Sequence, residues 1–172
     1  MVYITISILT LIIIIMSLYG RQILSFFFTI LLIILGCLSS QFKRITGELS
    51  IGIEFIPFAT IIFFYTHGIA FGIMSAIIMM AISQLLSGQL RIDILFNIAV
   101  FIIIGLISLL FLEVGIVLFG IILVVLFNIM TFIAMSVIGY DFVKNMIYGF
   151  GSIIFNYVLF RYFSEIIVKT LI

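Results

Sequence analysis

The chain has 172 residues, 67% of them hydrophobic and 8% charged, and a mean hydropathy of +1.63. Seven basic and six acidic side chains cannot coat a water-soluble domain of this length, so a soluble globular protein is excluded. A net charge of +1 supplies no basic patch, which excludes nucleic acid as a partner.

Crossing about 30 Å of hydrocarbon takes roughly 20 helical residues. Seven apolar segments approach that length, at about 2–19, 22–40, 51–66, 68–87, 93–111, 113–138 and 145–168. Backbone groups in lipid must satisfy one another, and runs such as IIIIM at 12–16 lack the alternation of a barrel strand, so the segments read as helices. The expected fold is all-α: a polytopic transmembrane helix bundle of six or seven spans. It forms a single membrane domain over 1–172, with 2–19 as a possible extra N-terminal helix and 22–168 as a six-helix core. The first segment lacks a basic n-region and an A-x-A site, so it reads as a retained span rather than a signal peptide. Only YGRQ (19–22) separates it from the second, which predicts a tight helical hairpin. The lone Cys37 lies in an apolar run and reads as a small buried residue.

Segment 51–66 holds Pro57, the only proline. Proline suits a first helical turn, so a helix starting near Ile56 is predicted, with 47–56 as a partly buried loop or interfacial turn. Next, Gly68, Gly72 and Ala76 recur every four residues. Such a stripe lets another helix approach closely, within the bundle or from a partner.

The connections alternate in character. QFKRITGELSIG (40–51), SGQLRID (87–93) and GYDFVKN (139–145) are polar, whereas THG (66–68) and LEVG (112–115) are minimal. If every segment crosses, the three polar loops share one side. Four basic residues on that side against three on the other leave orientation open. The polar side offers candidate ligand-binding residues of both signs: Glu48 and Glu54; Gln84, Gln89, Arg91, Asp93 and Asn97; Tyr140, Asp141, Lys144 and Asn145. The plainer alternative is solvated loops with local ion pairs.

Asn128, Thr131 and Asn156 fall at membrane depth, where interhelical bonds or a ligand path are the two uses. Arg161 and Glu165, four apart, share a helix face, and Glu113 sits at a helix junction. His67 has no companion ligands, and no nucleophile–base pair or catalytic motif is present. The expectation is therefore no enzyme, no cofactor and no metal site.

Residues 47–110 resemble the central part of the S component of energy-coupling-factor transporters. There a polar loop leads into a proline-started helix, a glycine turn, a glycine-rich helix and a second polar loop. Pro57, Gly68, Gly72 and Gly88 occupy the matching places in ELSIGIEFIPFATIIFFYTHGIAFGIMSAIIMMAISQLLSGQLRID. The resemblance implies a multi-pass cell-membrane protein that binds a small polar molecule at its polar loops and works with other membrane subunits. S components commonly carry A-x-x-x-A on the first helix, and residues 22–40 contain no alanine. The same run is similar to the MreD rod-shape-determining family, which implies a non-catalytic scaffold of cell-envelope synthesis. This chain reads MMAISQLL where that family has G-L-x-x-D.

Overall fold

A computed structural model describes residues 2–39, 41, 52–88 and 93–172, with side chains described from Tyr19 onward except that of Asp93. Six α-helices follow in order: α1 (Val2–Cys37), α2 (Ile56–Thr66), α3 (Ile69–Ser87), α4 (Asp93–Ser108), α5 (Ile116–Val137) and α6 (Phe142–Leu171). A single 3-10 turn, Leu109–Phe111, prolongs α4. No strand occurs among the described residues.

Five stretches are long and apolar enough to cross a membrane: Tyr19–Cys37, Ile69–Ser87, Ile94–Phe111, Ile116–Val137 and Phe142–Leu171. The protein is therefore an integral membrane protein built as a helix bundle. The sixth helix, α2, has 11 residues and spans only about 16 Å. Pro57 occupies its first turn, as the sequence predicts. Gly88 ends α3 in the left-handed conformation, φ 69°, and its N–H donates to the Gln84 and Leu85 carbonyls.

The expected hairpin at 19–22 is absent. The helix α1 runs unbroken through Gly20 and Arg21 for 36 residues, about 54 Å. Arg and Gln are good helix formers, and one glycine costs a helix only about 1 kcal/mol relative to alanine. Four such residues are too weak a break to turn the chain back.

The core sits where α2 is surrounded by its neighbours. Phe58, Ala59, Ile61, Ile62, Phe63 and Phe64 are buried, as are Met79, Phe101, Phe119, Leu123 and Phe160. Gly72 faces Phe64 so closely that any side chain there would overlap the ring, and Ala76 is fully buried. The small-residue stripe therefore serves packing between α2 and α3. Gly68 has open space around it and φ 86°, so it serves the turn rather than a contact.

Hydrogen bonds define the two ends. At one, Gln41 Nε2 donates to the Leu86 carbonyl, joining the ends of α1 and α3. Phe55 N–H donates to Ser39 Oγ nearby. At the other, Ser25 Oγ donates to the Leu171 carbonyl, joining α1 to the end of α6. The ends of α1 and α3 thus lie together.

Candidate functional site

The sequence candidates divide on inspection. Glu48, Gln89 and Arg91 lie outside the described residues, and of Asp93 only the backbone at the start of α4 is described. Asp141 caps α6, its Oδ1 accepting the Lys144 N–H at 2.9 Å. That use is structural: it satisfies an N–H that a helix start leaves open. Asn145 Nδ2 donates to the Phe132 carbonyl, tying α6 to α5. Tyr140 and Lys144 are exposed, and Gln84 is half-buried at the end of α3. Glu54 and Asn97 lie deeper and meet a second set of residues.

That set forms around a break in helical structure. Gly52, Ile53, Glu54 and Phe55 carry no helix, yet Gly52 is buried. Its φ of 60° suits glycine, and a Cβ would strike the Ser152 nitrogen and the Tyr148 carbonyl on α6. Asn156 holds the next turn of the segment. Its Nδ2 donates to the Glu54 carbonyl at 3.3 Å and to the Ser152 carbonyl at 2.9 Å. Phe55 packs edge-on against Phe155 with ring centres 5.1 Å apart.

Contacts between α5 and α6 fix the depth of this segment. Asn145 bonds the Phe132 carbonyl, and Gly120 lies against the Phe160 ring. The two antiparallel helices therefore set Asn128 and Thr131 level with residues 147–152, and Asn156 level with residues 122–124. The Glu54 carbonyl thus lies level with the middle of α5 (Ile116–Val137) and near the ends of α1 and α3, where Phe55 N–H donates to Ser39 Oγ. Gly52 of this non-helical segment is buried, and α2 begins from it.

Phe101 stacks on Phe127 at 4.5 Å. One turn nearer the polar-loop end on each helix come Asn97 and Thr131. The buried polar residues therefore descend along the bundle rather than share one level: Asn97 and Thr131 lie nearest the polar-loop end, Asn128 and Ser152 come next, and Asn156 with the Glu54 carbonyl lies about 12 Å deeper than Thr131 along α5 and α6. Asn128 is 5% exposed and Nδ2 donates to the Val124 carbonyl. Four oxygens spread along this descent have no hydrogen-bond partner: Asn97 Oδ1, Thr131 Oγ1, Ser152 Oγ and Asn156 Oδ1. The sequence reading grouped Asn128, Thr131 and Asn156 at membrane depth, placed Asn97 with the loop residues and missed Ser152. The i, i+4 spacing of Ser152 and Asn156 was its available signal.

Elsewhere the chain offers less. A hollow of about 150 Å³ lies between α5 and α6, lined by Ile121, Val124, Ile153, Ile154 and Tyr157. Its lining side chains are apolar apart from the Tyr157 hydroxyl, and Ile154 and Tyr157 are exposed on the lipid side. At the opposite end of the bundle, His67 stacks on Phe71 at 4.8 Å, and its Nδ1 lies 2.7 Å from Thr66 Oγ1. Loss of hydration holds its pKa below the ordinary 6.5. Among the described residues no three His, Cys, Asp or Glu side chains converge as a metal site would require.

Comparison with known proteins found no matching family model, no matching curated protein and no matching solved structure.

Proposed function

We propose that the chain is a substrate-binding membrane subunit, similar to an S component, for uptake of a small polar molecule across the cell membrane. It captures the molecule at the polar-loop end and works with partner proteins. In this reading the bundle crosses six times, the 52–55 segment and α2 together making one crossing. The sequence carries no P-loop motif, so in this reading another protein or an ion gradient drives the movement. The observation that carries the reading is the non-helical 52–55 backbone that Asn156 holds against α6 near the ends of α1 and α3, on the polar-loop side. Non-helical backbone inside a membrane protein is tolerated where it is buried in protein or lines a cavity, and there its polar groups can meet a bound species. A scaffold of the MreD kind would need a free face for a partner helix. That Gly72 and Ala76 are used inside the bundle weighs against that alternative.

Purification in mild detergent followed by native mass spectrometry tests the reading. A small polar molecule should remain bound, and Asn156→Leu should release it. Envelope-synthesis proteins retained without any ligand would replace this function with the scaffold.

A further inference from the structure

The C-terminal part of α6 carries charge on its outer side. Arg161, Glu165 and Lys169 recur every four residues and are exposed, whereas Phe160 and Ser164 on the same turns are fully buried. Either neighbouring pair of the three could close within the helix. Among the described residues neither does, and Arg161 and Glu165 make no hydrogen bond within the chain. Charged groups in membrane helices as a rule face the bundle interior and pair there. These face outward. The contacts of Phe160 with Gly120 and of Asn145 with Phe132 set Arg161 level with residues 116–119, in the first turn of α5. They set Glu165 level with residues 112–115, just outside that turn.

One turn deeper, the same side of α6 walls the hollow between α5 and α6. Tyr157, four residues before Arg161, lines it with Ile153 and Ile154, and Ile154 and Tyr157 are exposed on the lipid side. Side chains on a helix tilt toward its N-terminus, so Arg161 leaves the backbone toward Tyr157 and the hollow. A cavity of about 150 Å³ holds a group the size of benzene, so the hollow takes a few carbons of a chain and no headgroup. Going outward along α6, the order is apolar hollow, guanidinium, carboxylate, in steps of about 6 Å. A phospholipid whose headgroup ends in an ammonium has the same order: acyl chain, phosphate, ammonium. A guanidinium grips a phosphate by two parallel hydrogen bonds, and a carboxylate accepts from an ammonium. A headgroup with phosphate alone would meet Glu165 as an unmatched acceptor. A second copy about a two-fold axis along the membrane normal would set Arg161 against its own counterpart.

We propose that the hollow between α5 and α6, together with Arg161 and Glu165, is a site for one phospholipid with a primary ammonium headgroup, of the phosphatidylethanolamine kind. An acyl chain enters the hollow, Arg161 binds the phosphate and Glu165 accepts from the ammonium. Lipid binding is measured with no transported molecule present, so this inference and the uptake reading can fail separately.

The test is native mass spectrometry of the delipidated protein in detergent, titrated with phosphatidylethanolamine, phosphatidylglycerol and phosphatidylcholine of identical acyl chains. Wild type should bind the ethanolamine lipid tightest, because choline has no N–H to donate and glycerol no charge to meet Glu165. Glu165→Gln should abolish that preference. Arg161→Gln should weaken the ethanolamine and glycerol lipids alike, by about tenfold. Both positions are exposed, so the fold should survive, and melting temperatures check that it does. Lys169→Gln, exposed one turn further out, is the control and should keep the wild-type order. Glycerophosphoethanolamine, a headgroup without chains, should not displace the bound lipid. Equal binding of the three lipids, tighter binding of phosphatidylglycerol, displacement by the bare headgroup, or an ethanolamine preference that survives Glu165→Gln or an affinity that survives Arg161→Gln would overturn the proposal and leave an ordinary lipid contact.

Discussion

At the residue scale, Gly52 and His67 show how local chemistry fixes the two ends of α2. Gly52 has both a left-handed backbone and no room for a Cβ. In Gly52→Ala the conformation alone costs about 1–2 kcal/mol, and the backbone of α6 cannot give way as a side chain would. The expected result is a clear fall in melting temperature, whereas Gly20→Ala, in open space within α1, should be neutral or slightly stabilising. His67 is favoured in its neutral form by the loss of hydration. As pH falls through 6.5 the unfolded chain takes up the proton first, so it binds more protons than the folded state and stability drops. Above 6.5 the contribution is complete. Melting temperatures from pH 7.5 down to pH 5 should fall more for wild type than for His67→Phe, which keeps an aromatic ring beside Phe71.

At the scale of elements, the pairing of α5 with α6 depends on Gly120, which gives the Phe160 ring its place. Overpacking a core costs about 1–3 kcal/mol. We expect Gly120→Leu to unfold at markedly lower temperature and Phe160→Ala to restore part of the loss when combined with it, a coupling that a double-mutant cycle measures. Most elements were legible beforehand because lipid leaves so few options. Pro57 marked the start of α2, and Gly88 and Gly139 fell at helix ends. The misreading at 19–22 had a definite cause: polarity was taken as a break, although Arg21 and Gln22 extend a helix readily. The site was harder to read. Charge drew attention to the loops, where Asp141 caps α6, whereas the buried polar residues of α5 and α6 are neutral amides and hydroxyls. The relative depths of Asn97, Thr131, Ser152 and Asn156 follow only from helix registers, and those depend on contacts such as Gly120 with Phe160 that no local pattern encodes.

For the whole molecule, the alternation of long polar and minimal connections predicts a sidedness that can be measured. Single cysteines at Ser87 and Tyr140, in a Cys37→Ala background, should react with a membrane-impermeant reagent from one side. Glu113→Cys should react only from the other. Labelling of Ser87 and Tyr140 from opposite faces would contradict the helix order that brings α1, α3 and α5 to one end.

The clamp between Asn156 and Glu54 joins residues 102 positions apart, one near the start of the bundle and the other in its last helix. During synthesis the short α2 emerges long before α6 exists. With 11 residues it is too short to settle across a bilayer by itself, and its leading segment has no seat until Tyr148–Asn156 arrive. Long-range closure of this kind is slow, because the chain must be ordered before the contact repays it. The 52–55 region is thus completed only when α6 arrives, and a chain cut before α6 would enter the membrane with its α2 region unassembled and exposed to quality-control proteases.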